Sequence, residues 1–339
     1  MKAAILAEFG QPLQLEDVAR PAPEADEVLL EVEVCGVCHS DLHIVDGDLA
    51  GFRAATKPRL VPGHEVIGKV VAKGDAVNHL QFGDRVGVAW LHTTCGICEP
   101  CREGNENLCR KGVVTGMMVD GGYAELMRAK ASHALPIPSN LSSAQAAPLF
   151  CAGVTVYRAL KNAGVSARQR VAVFGIGGLG HLAVQIAKSW GAEVVAFDVG
   201  DDKLALAREL GATATFNVAD PNAVKAARQL GGMHVCVVTS AAKAAYDMAL
   251  KCLRPTGTLA VVGLPAEPLS FNALALVGPE LRIVSAAVGT RDDIRAVLEL
   301  AAAGQLVCRV EEAPLADVNE VLARMKRGDI RGRMVLRCC

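Results

Sequence analysis

The stretch Val171-Ala172-Val173-Phe174-Gly175-Ile176-Gly177-Gly178-Leu179-Gly180 decides the fold of the second half of the chain. Its first four residues are apolar and read as a short buried strand. Three glycines at G-x-G-x-x-G spacing follow, and residues 178–190 carry apolar residues at helical spacing. A glycine pattern alone is a weak signal, but between a strand and a helix it has a physical reason. The glycines permit a tight turn and let a pyrophosphate approach the helix N-terminus, where free N–H groups and the helix dipole favour an anion. Residues 193–197 form the next apolar run, and Asp198 ends it, ~20 residues after the glycines. A carboxylate there accepts hydrogen bonds from adenosine ribose hydroxyls and repels a 2′-phosphate, so NAD is favoured over NADP. No arginine adjoins Asp198.

Outward from this unit the rhythm continues. Helical spacing over 202–210 and 241–253 alternates with strand candidates at 212–218, 234–238, 258–262 and 281–288. Alternating strands and helices imply a parallel, doubly wound sheet, and about six strands complete one dinucleotide-binding domain. The first half differs. Short apolar or alternating runs such as 27–34, 66–72 and 85–90 are broken by Gly, Pro and Asp, a β-rich pattern. After ~290 come two amphipathic helical stretches and a last apolar run, 333–337.

A length of 339 residues is too great for one ordinary domain. With 35 basic against 36 acidic residues the net charge is −1, and aromatics are only 4%, which argues against nucleic-acid binding. No run approaches the ~18 apolar residues of a membrane span, and the apolar run at Met1–Ala7 is too short for a signal-peptide core. A cytoplasmic protein is expected, and there twelve cysteines are not a disulfide framework.

Clustered thiols in a reducing compartment read first as metal ligands. Cys95, Cys98, Cys101 and Cys109 follow the pattern C-x2-C-x2-C-x7-C, and four thiolates this close suit one closed, structural, tetrahedral Zn²⁺. An iron–sulfur cluster is the rival, but its bacterial signature places the fourth cysteine three residues on, before a proline; here seven residues intervene and Arg110 follows. Three further candidates are dispersed: Cys38 in Gly36-Val37-Cys38-His39-Ser40-Asp41, His64 in Pro62-Gly63-His64-Glu65, and Cys151 in Leu149-Phe150-Cys151-Ala152-Gly153. Alone, Cys38 and Cys151 read equally well as small core residues, and His64 as a turn histidine.

Together these segments carry a resemblance. With Asp120-Gly121-Gly122-Tyr123-Ala124, residues 150–155 and 175–181, and Val262-Gly263-Leu264-Pro265, the chain resembles the zinc-dependent medium-chain alcohol dehydrogenases of the tetrameric bacterial and yeast type. The likeness covers essentially the whole length and keeps the motif order. It implies an α/β fold: a GroES-like β-barrel catalytic domain at 1–152 carrying the zinc loop 95–109, a Rossmann-type NAD-binding domain at 153–290, and a return to the catalytic domain at 291–339. It implies two Zn²⁺ per chain, one catalytic and one structural, NAD as coenzyme, a homotetramer, a small-molecule alcohol or aldehyde as substrate, and no nucleic-acid or membrane partner. The implied reaction is oxidation of primary and some secondary alcohols, and its reverse, by hydride transfer from a zinc-bound alkoxide.

The resemblance also assigns residues. Cys38, His64 and Cys151 bind the catalytic zinc and leave the fourth position for water or substrate. Glu65 enters the zinc shell when substrate is absent, and Asp41 orients His64. Ser40 and His43 occupy the proton relay, which runs from a hydroxyl through the nicotinamide ribose to a surface histidine. Gly175, Ile176, Gly177, Gly178, Leu179, Gly180, Asp198, Lys203 and Val262 contact the coenzyme, with His39 at its pyrophosphate and Arg333 a further contact. Trp90 matches a pocket aromatic. Leu49 stands where close relatives often carry a tryptophan walling the pocket, and Gly51-Phe52-Arg53-Ala54-Ala55 looks like an insertion; either the pocket is opened by Leu49 or Phe52 refills it.

Rival functions are excluded by particular residues. Metal-free quinone reductases of the same fold lack both cysteine sets. Polyol dehydrogenases commonly carry glutamate where this chain has Cys151, and cinnamyl-type relatives lack the ribose carboxylate supplied here by Asp198. A non-catalytic scaffold would need neither ligand set nor relay. Cys35, Cys236, Cys252 and Cys308 read as buried packing residues, and Cys338 and Cys339 as exposed, oxidisable thiols.

Overall fold

The computed structural model describes every residue from Met1 to Cys339. The chain divides into two compact units: Met1–Ala152, Thr290–Ala302 and Cys308–Cys339 form one, and Gly153–Gly289 with Ala303–Val307 the other.

In the first unit, one long strand organises a seven-stranded sheet. Glu27–Val37 pairs along its length with Glu65–Lys73, at its start with Leu126–Lys130 and at its end with Arg333–Arg337. Register shifts between Leu29 and Leu30 and between Val32 and Val34 mark irregularities in this strand; such bulges bend a strand and raise its twist. Arg85–Val88 and Ala134–Pro136 extend the sheet on one side and Val310–Pro314 on the other. Its core holds Leu30, Val32, Ile44, Leu60, Val66, Tyr123 and Met334, all essentially without solvent contact. Both amphipathic stretches after residue 290 are helices, Arg291–Ala302 and Val318–Arg327.

The second unit is a six-stranded, wholly parallel sheet in the order Ala214–Asn217, Glu193–Asp198, Arg170–Phe174, Met233–Val238, Leu253–Val261, Arg282–Ser285. In chain order this is 3-2-1-4-5-6, the doubly wound arrangement that the alternating strands and helices imply. Val171, Val173, Val195, Phe197, Val235 and Val237 are buried because helices cover both faces. Phe174 stacks on Phe197 with ring centroids 4.3 Å apart.

Element ends move by a few residues from expectation. The helix after the glycines runs Gly180–Ser189, because Gly177 to Leu179 make the entry turn. The last strand is shorter than 281–288 and its side chains are largely exposed. It is an edge strand with a single partner, and Val288 adopts φ 53°, which ends extended structure.

Candidate metal and coenzyme sites

Three loops of the first unit converge on one buried point. Cys38 is the N-cap of the helix His39–Asp46: its sulfur accepts from Ser40 N at 3.5 Å, while Asp41 Oδ2 accepts from Cys38 N at 2.9 Å. This reciprocal cap fixes the thiol where the helix dipole favours a thiolate. His64 precedes the strand Glu65–Lys73, on a turn that Gly63 makes at φ 98°; a Cβ there would meet Tyr123 at 2.6 Å. Cys151 lies between the short helical turn Ala147–Phe150 and the helix Ala152–Asn162.

Asp41 ties two of these loops together. It is fully buried, and its Oδ1 accepts from Gly63 N at 3.2 Å and lies 2.9 Å from His64 Nδ1. Burial opposes charge on His64, but the Asp41 carboxylate outweighs it and raises the imidazole well above its ordinary pKa. The Cys151 thiol 3.8 Å away and, against burial, the neighbouring His64 hold Cys38 well below the usual thiol range.

The donor set fits a metal ion. Cys38, His64, Glu65 and Cys151 each present one ligand atom, all within 4.8 Å of one another. With its Nδ1 held by Asp41, His64 leaves Nε2 buried and without any partner, and Glu65 Oε2 is equally orphaned; buried polar atoms are seldom left so. The Cys38–Cys151 sulfur separation of 3.8 Å matches the ~3.8 Å edge of a tetrahedron built on Zn–S bonds of about 2.3 Å.

Arg333 has a partner that the sequence did not suggest. It is buried at 3% exposure, and its Nη2 donates to Glu65 Oε1. Burial pushes Glu65 up to about 7, against the pull of Arg333. Gly36 makes room for this carboxylate, since a Cβ there would lie 2.0 Å from Glu65 Oε2.

Around this centre, Trp90 meets the His64 ring edge-on at 4.9 Å, and Phe52 packs on Trp90 at 5.7 Å. Leu49 is half-buried at the N-cap of a short helix, Ala50–Ala55, which the sequence did not announce. Ser40 is half-buried and His39 exposed on the helix that Cys38 caps. His43 Nδ1 lies 3.0 Å from both carboxylate oxygens of the partly exposed Asp48.

The four-cysteine loop makes a second cluster. Its sulfurs are separated by 3.4 Å (Cys98–Cys101), 3.9 Å (Cys98–Cys109) and 3.6 Å (Cys95–Cys109). These spacings are far beyond a ~2.05 Å disulfide bond and again near a tetrahedral edge. Backbone N–H groups point at the sulfurs: Cys98 N donates to Cys95 at 3.4 Å and Cys95 N to Cys109 at 3.3 Å. Those of Ile97 and Cys98 lower Cys95 to about 6. Glu106 in this loop accepts from Arg291 N and Nε, both at 2.9 Å, which anchors the loop to the helix Arg291–Ala302.

In the second unit the coenzyme candidates gather at the C-terminal ends of neighbouring strands, where doubly wound sheets bind ligands. Gly175 turns at φ 89°, and a Cβ on Gly180 would come within 1.8 Å of Gly175 O, so helix and turn pack in contact only with glycine there. Asp198 accepts from Ile176 N at 2.6 Å and from Gly200 N at 3.0 Å, with Lys203 Nζ 3.8 Å away. Gly177, Gly178 and Leu179 complete the turn, and Val262 donates to Val238 O at 3.1 Å beside it. Thr239, absent from the sequence candidates, donates to Gly175 O at 2.7 Å; its only signal was its place directly after a strand end. Cys35, Cys236, Cys252 and Cys308 are buried. Cys338 corrects the expectation of an exposed thiol: it is buried and donates to Gly122 O at 3.4 Å, because the final strand carries it into the sheet, and only Cys339 is exposed.

Comparison with known proteins agrees with this geometry. Residues 24–139 match the alcohol dehydrogenase GroES-like domain, and residues 178–303 the zinc-binding dehydrogenase domain. An alcohol dehydrogenase of Geobacillus stearothermophilus is 45% identical over 338 residues, 99% of either chain. The crystal structure of the alcohol dehydrogenase of the archaeon Aeropyrum pernix superposes with a TM-score of 0.91 at 34% identity, covering 99% of this chain and 100% of that one. Acetophenone reductase of Geotrichum candidum, solved in complex with NAD, gives 0.88 at 32% identity, covering 99% and 96%. Whole-length likeness at this level, with both domains matched in order, means that the chain belongs to the zinc-type medium-chain alcohol dehydrogenases.

Proposed function

We propose that this chain catalyses the reversible, NAD-dependent oxidation of primary and some secondary alcohols, with Cys38, His64 and Cys151 holding one zinc and the four-cysteine loop a second. The observation that carries the reading is the orphaned Nε2 of His64, buried beside two thiols with no other acceptor or donor. Zinc supplies Lewis acidity that favours loss of the alcohol proton, and NAD supplies the hydride acceptor.

The chain's own residues do the rest. Asp41 fixes the His64 tautomer by taking Nδ1–H, so Nε2 faces the ligand set. Glu65 is held back by Arg333 and keeps one oxygen toward the same point. Ser40 Oγ would take the substrate proton as it gives up its own, and His43, with its ring nitrogen on Asp48, would stand at the solvent end of that relay. Asp198 keeps a carboxylate at the strand end for ribose hydroxyls and, with Ile176 N, shapes the glycine turn. His39, Lys203 and Val262 are proposed coenzyme contacts, whereas the placement of Arg333 against Glu65 gives it first a role at the metal site.

Self-association to a tetramer is part of the proposal. The edge strand Arg282–Ser285 exposes Ile283, and nearby Leu264, Leu274 and Val277 are 61%, 78% and 70% exposed; an apolar edge of this kind pairs readily with another chain. Cytoplasmic residence is supported by twelve cysteines with no disulfide among them. No helix is long and apolar enough to cross a membrane.

The test is NAD reduction by zinc-reconstituted full-length protein with ethanol, 2-propanol, benzyl alcohol and sorbitol, alongside metal analysis and light scattering. Turnover of the simple alcohols with NAD in preference to NADP is expected, and Asp198→Ala should shift that preference about tenfold or more toward NADP. Absence of turnover with every alcohol at full zinc occupancy would overturn the reading.

A further inference from the structure

We propose that Phe52 sets the size limit of the alcohol, confining the site to short substrates; this rests on the reaction proposed above. A substrate oxygen at the ligand set places its carbon chain beside the aromatic ring nearest His64. That ring is Trp90, edge-on at 4.9 Å, and the ring leaning on it is Phe52 at 5.7 Å, tilted by 41°. Both are half-buried and in contact, so the apolar surface they share begins one ring away from the ligand histidine.

The helix Ala50–Ala55 holds Phe52 against that wall. Leu49, Phe52 and Ala55 are half-buried while Ala50, Gly51, Arg53 and Ala54 are exposed, the i, i+3, i+6 pattern of one inward face. The guanidinium of Arg53 sits 4.8 Å over the Phe9 ring, and Gly47 just upstream packs so closely on Phe9 that a Cβ would meet it at 2.8 Å. Downstream, Thr56 N bonds to Phe52 O and Lys57 N to Met117 O, both at 2.9 Å. A six-residue helix tied at both ends keeps the ring in place. A longer alcohol must displace it, whereas a short one need not.

The experiment compares wild type, Phe52→Ala and Phe52→Leu as zinc-loaded full-length enzymes. kcat/KM is measured for ethanol, butanol, hexanol and benzyl alcohol. In parallel, dissociation constants for acetamide, butyramide and hexanamide, unreactive aldehyde analogues, are read with NADH from Trp90 emission in a Trp190→Phe background. Removing the ring frees room for two to three methylenes, each about fourfold when buried. The hexanol-to-ethanol ratio of kcat/KM and the hexanamide-to-acetamide affinity ratio should both rise about fifteen- to sixtyfold in Phe52→Ala, with Phe52→Leu between. A uniform change across both series would overturn the proposal, leaving Phe52 as mere support for Trp90. A selective loss on the longer members would overturn it in the other sense, showing that Phe52 grips them. If Phe52→Ala fails to fold, the milder Phe52→Leu carries the same ratios. If wild type oxidises no alcohol, the reaction has failed while the amide series still decides the role of Phe52.

Discussion

The four-cysteine loop and the Cys38–His64–Cys151 set gather similar donor atoms by opposite means. The loop is local: its four cysteines lie within fifteen residues, from Cys95 to Cys109, and are partly exposed. Neighbouring backbone N–H groups steady the sulfurs, so the loop depends on little beyond its own sequence and the Glu106–Arg291 anchor. The other set draws on three distant loops, is wholly buried, and is steadied by charged side chains, Asp41 on His64 and Arg333 on Glu65. A local site is closed by its own turns and stabilises what surrounds it. A dispersed site forms only after the fold does, and leaves atoms such as His64 Nε2 facing inward for use.

Removing one thiol from each cluster should separate the two most strongly. Cys38→Ser should lower kcat/KM by about a thousandfold or more while the melting temperature moves little, because on the proposed reading it removes a ligand of the Lewis acid. Cys98→Ser should do the reverse, costing about 2–4 kcal/mol of stability by calorimetry or denaturant titration, since binding there is linked to folding. Equal effects of the two variants on stability would erase the distinction.

The charged supports of the buried set give the next test. Glu65→Ala leaves Arg333 buried without its carboxylate, and breaking a buried pair costs about 3–5 kcal/mol. Glu65→Gln keeps an oxygen for the guanidinium and should cost about half as much. A Glu65→Ala variant as stable as wild type would mean that Arg333 finds another partner.

The surroundings of the local loop predict a pH effect. Burial, with Arg291 nearby, lowers His133 to about 4, and its Nε2 lies 3.3 Å from Thr94 Oγ1 at the start of the loop. A histidine with a depressed native pKa is protonated first in the unfolded chain, so stability is full above about 6.5 and is lost as pH falls toward 4. The loss should reach up to about 3 kcal/mol, and His133→Phe should flatten the stability profile across that window. An unchanged slope would assign the acid lability to other groups.

The smallest effect concerns the relay. His43→Ala should slow turnover roughly tenfold below about pH 8 and progressively less above it, as hydroxide replaces the lost acceptor. A loss independent of pH would point to a packing role for a side chain that faces Asp48.

Contiguous sequence determined whatever depends on local chemistry. The run from Val171 to Gly180 specified strand, turn and helix, because glycine alone tolerates φ 89° at Gly175 and the contact of Gly180 with Gly175 O. The C-x2-C-x2-C-x7-C spacing specified a thiolate cluster, because its own turns bring neighbouring sulfurs within 4 Å. Only the tertiary structure decided what depends on long-range proximity. Glu65 and Arg333 are 268 residues apart and no local pattern encodes their pairing, while Asp41 and His64, 23 apart, were linked only through the family resemblance. The resemblance gave Arg333 only as a coenzyme contact; its pairing with Glu65 follows from the strand Arg333–Arg337 being zipped to Glu27–Val37, beside the start of Glu65–Lys73, which turns the guanidinium onto a buried carboxylate. For the same reason the residues after Asp48 read only as an insertion, with no helix expected. A six-residue segment is too short to be helical on propensity alone, and contacts with Phe9, Trp90 and Met117, distant in sequence, make it a helix and place Phe52.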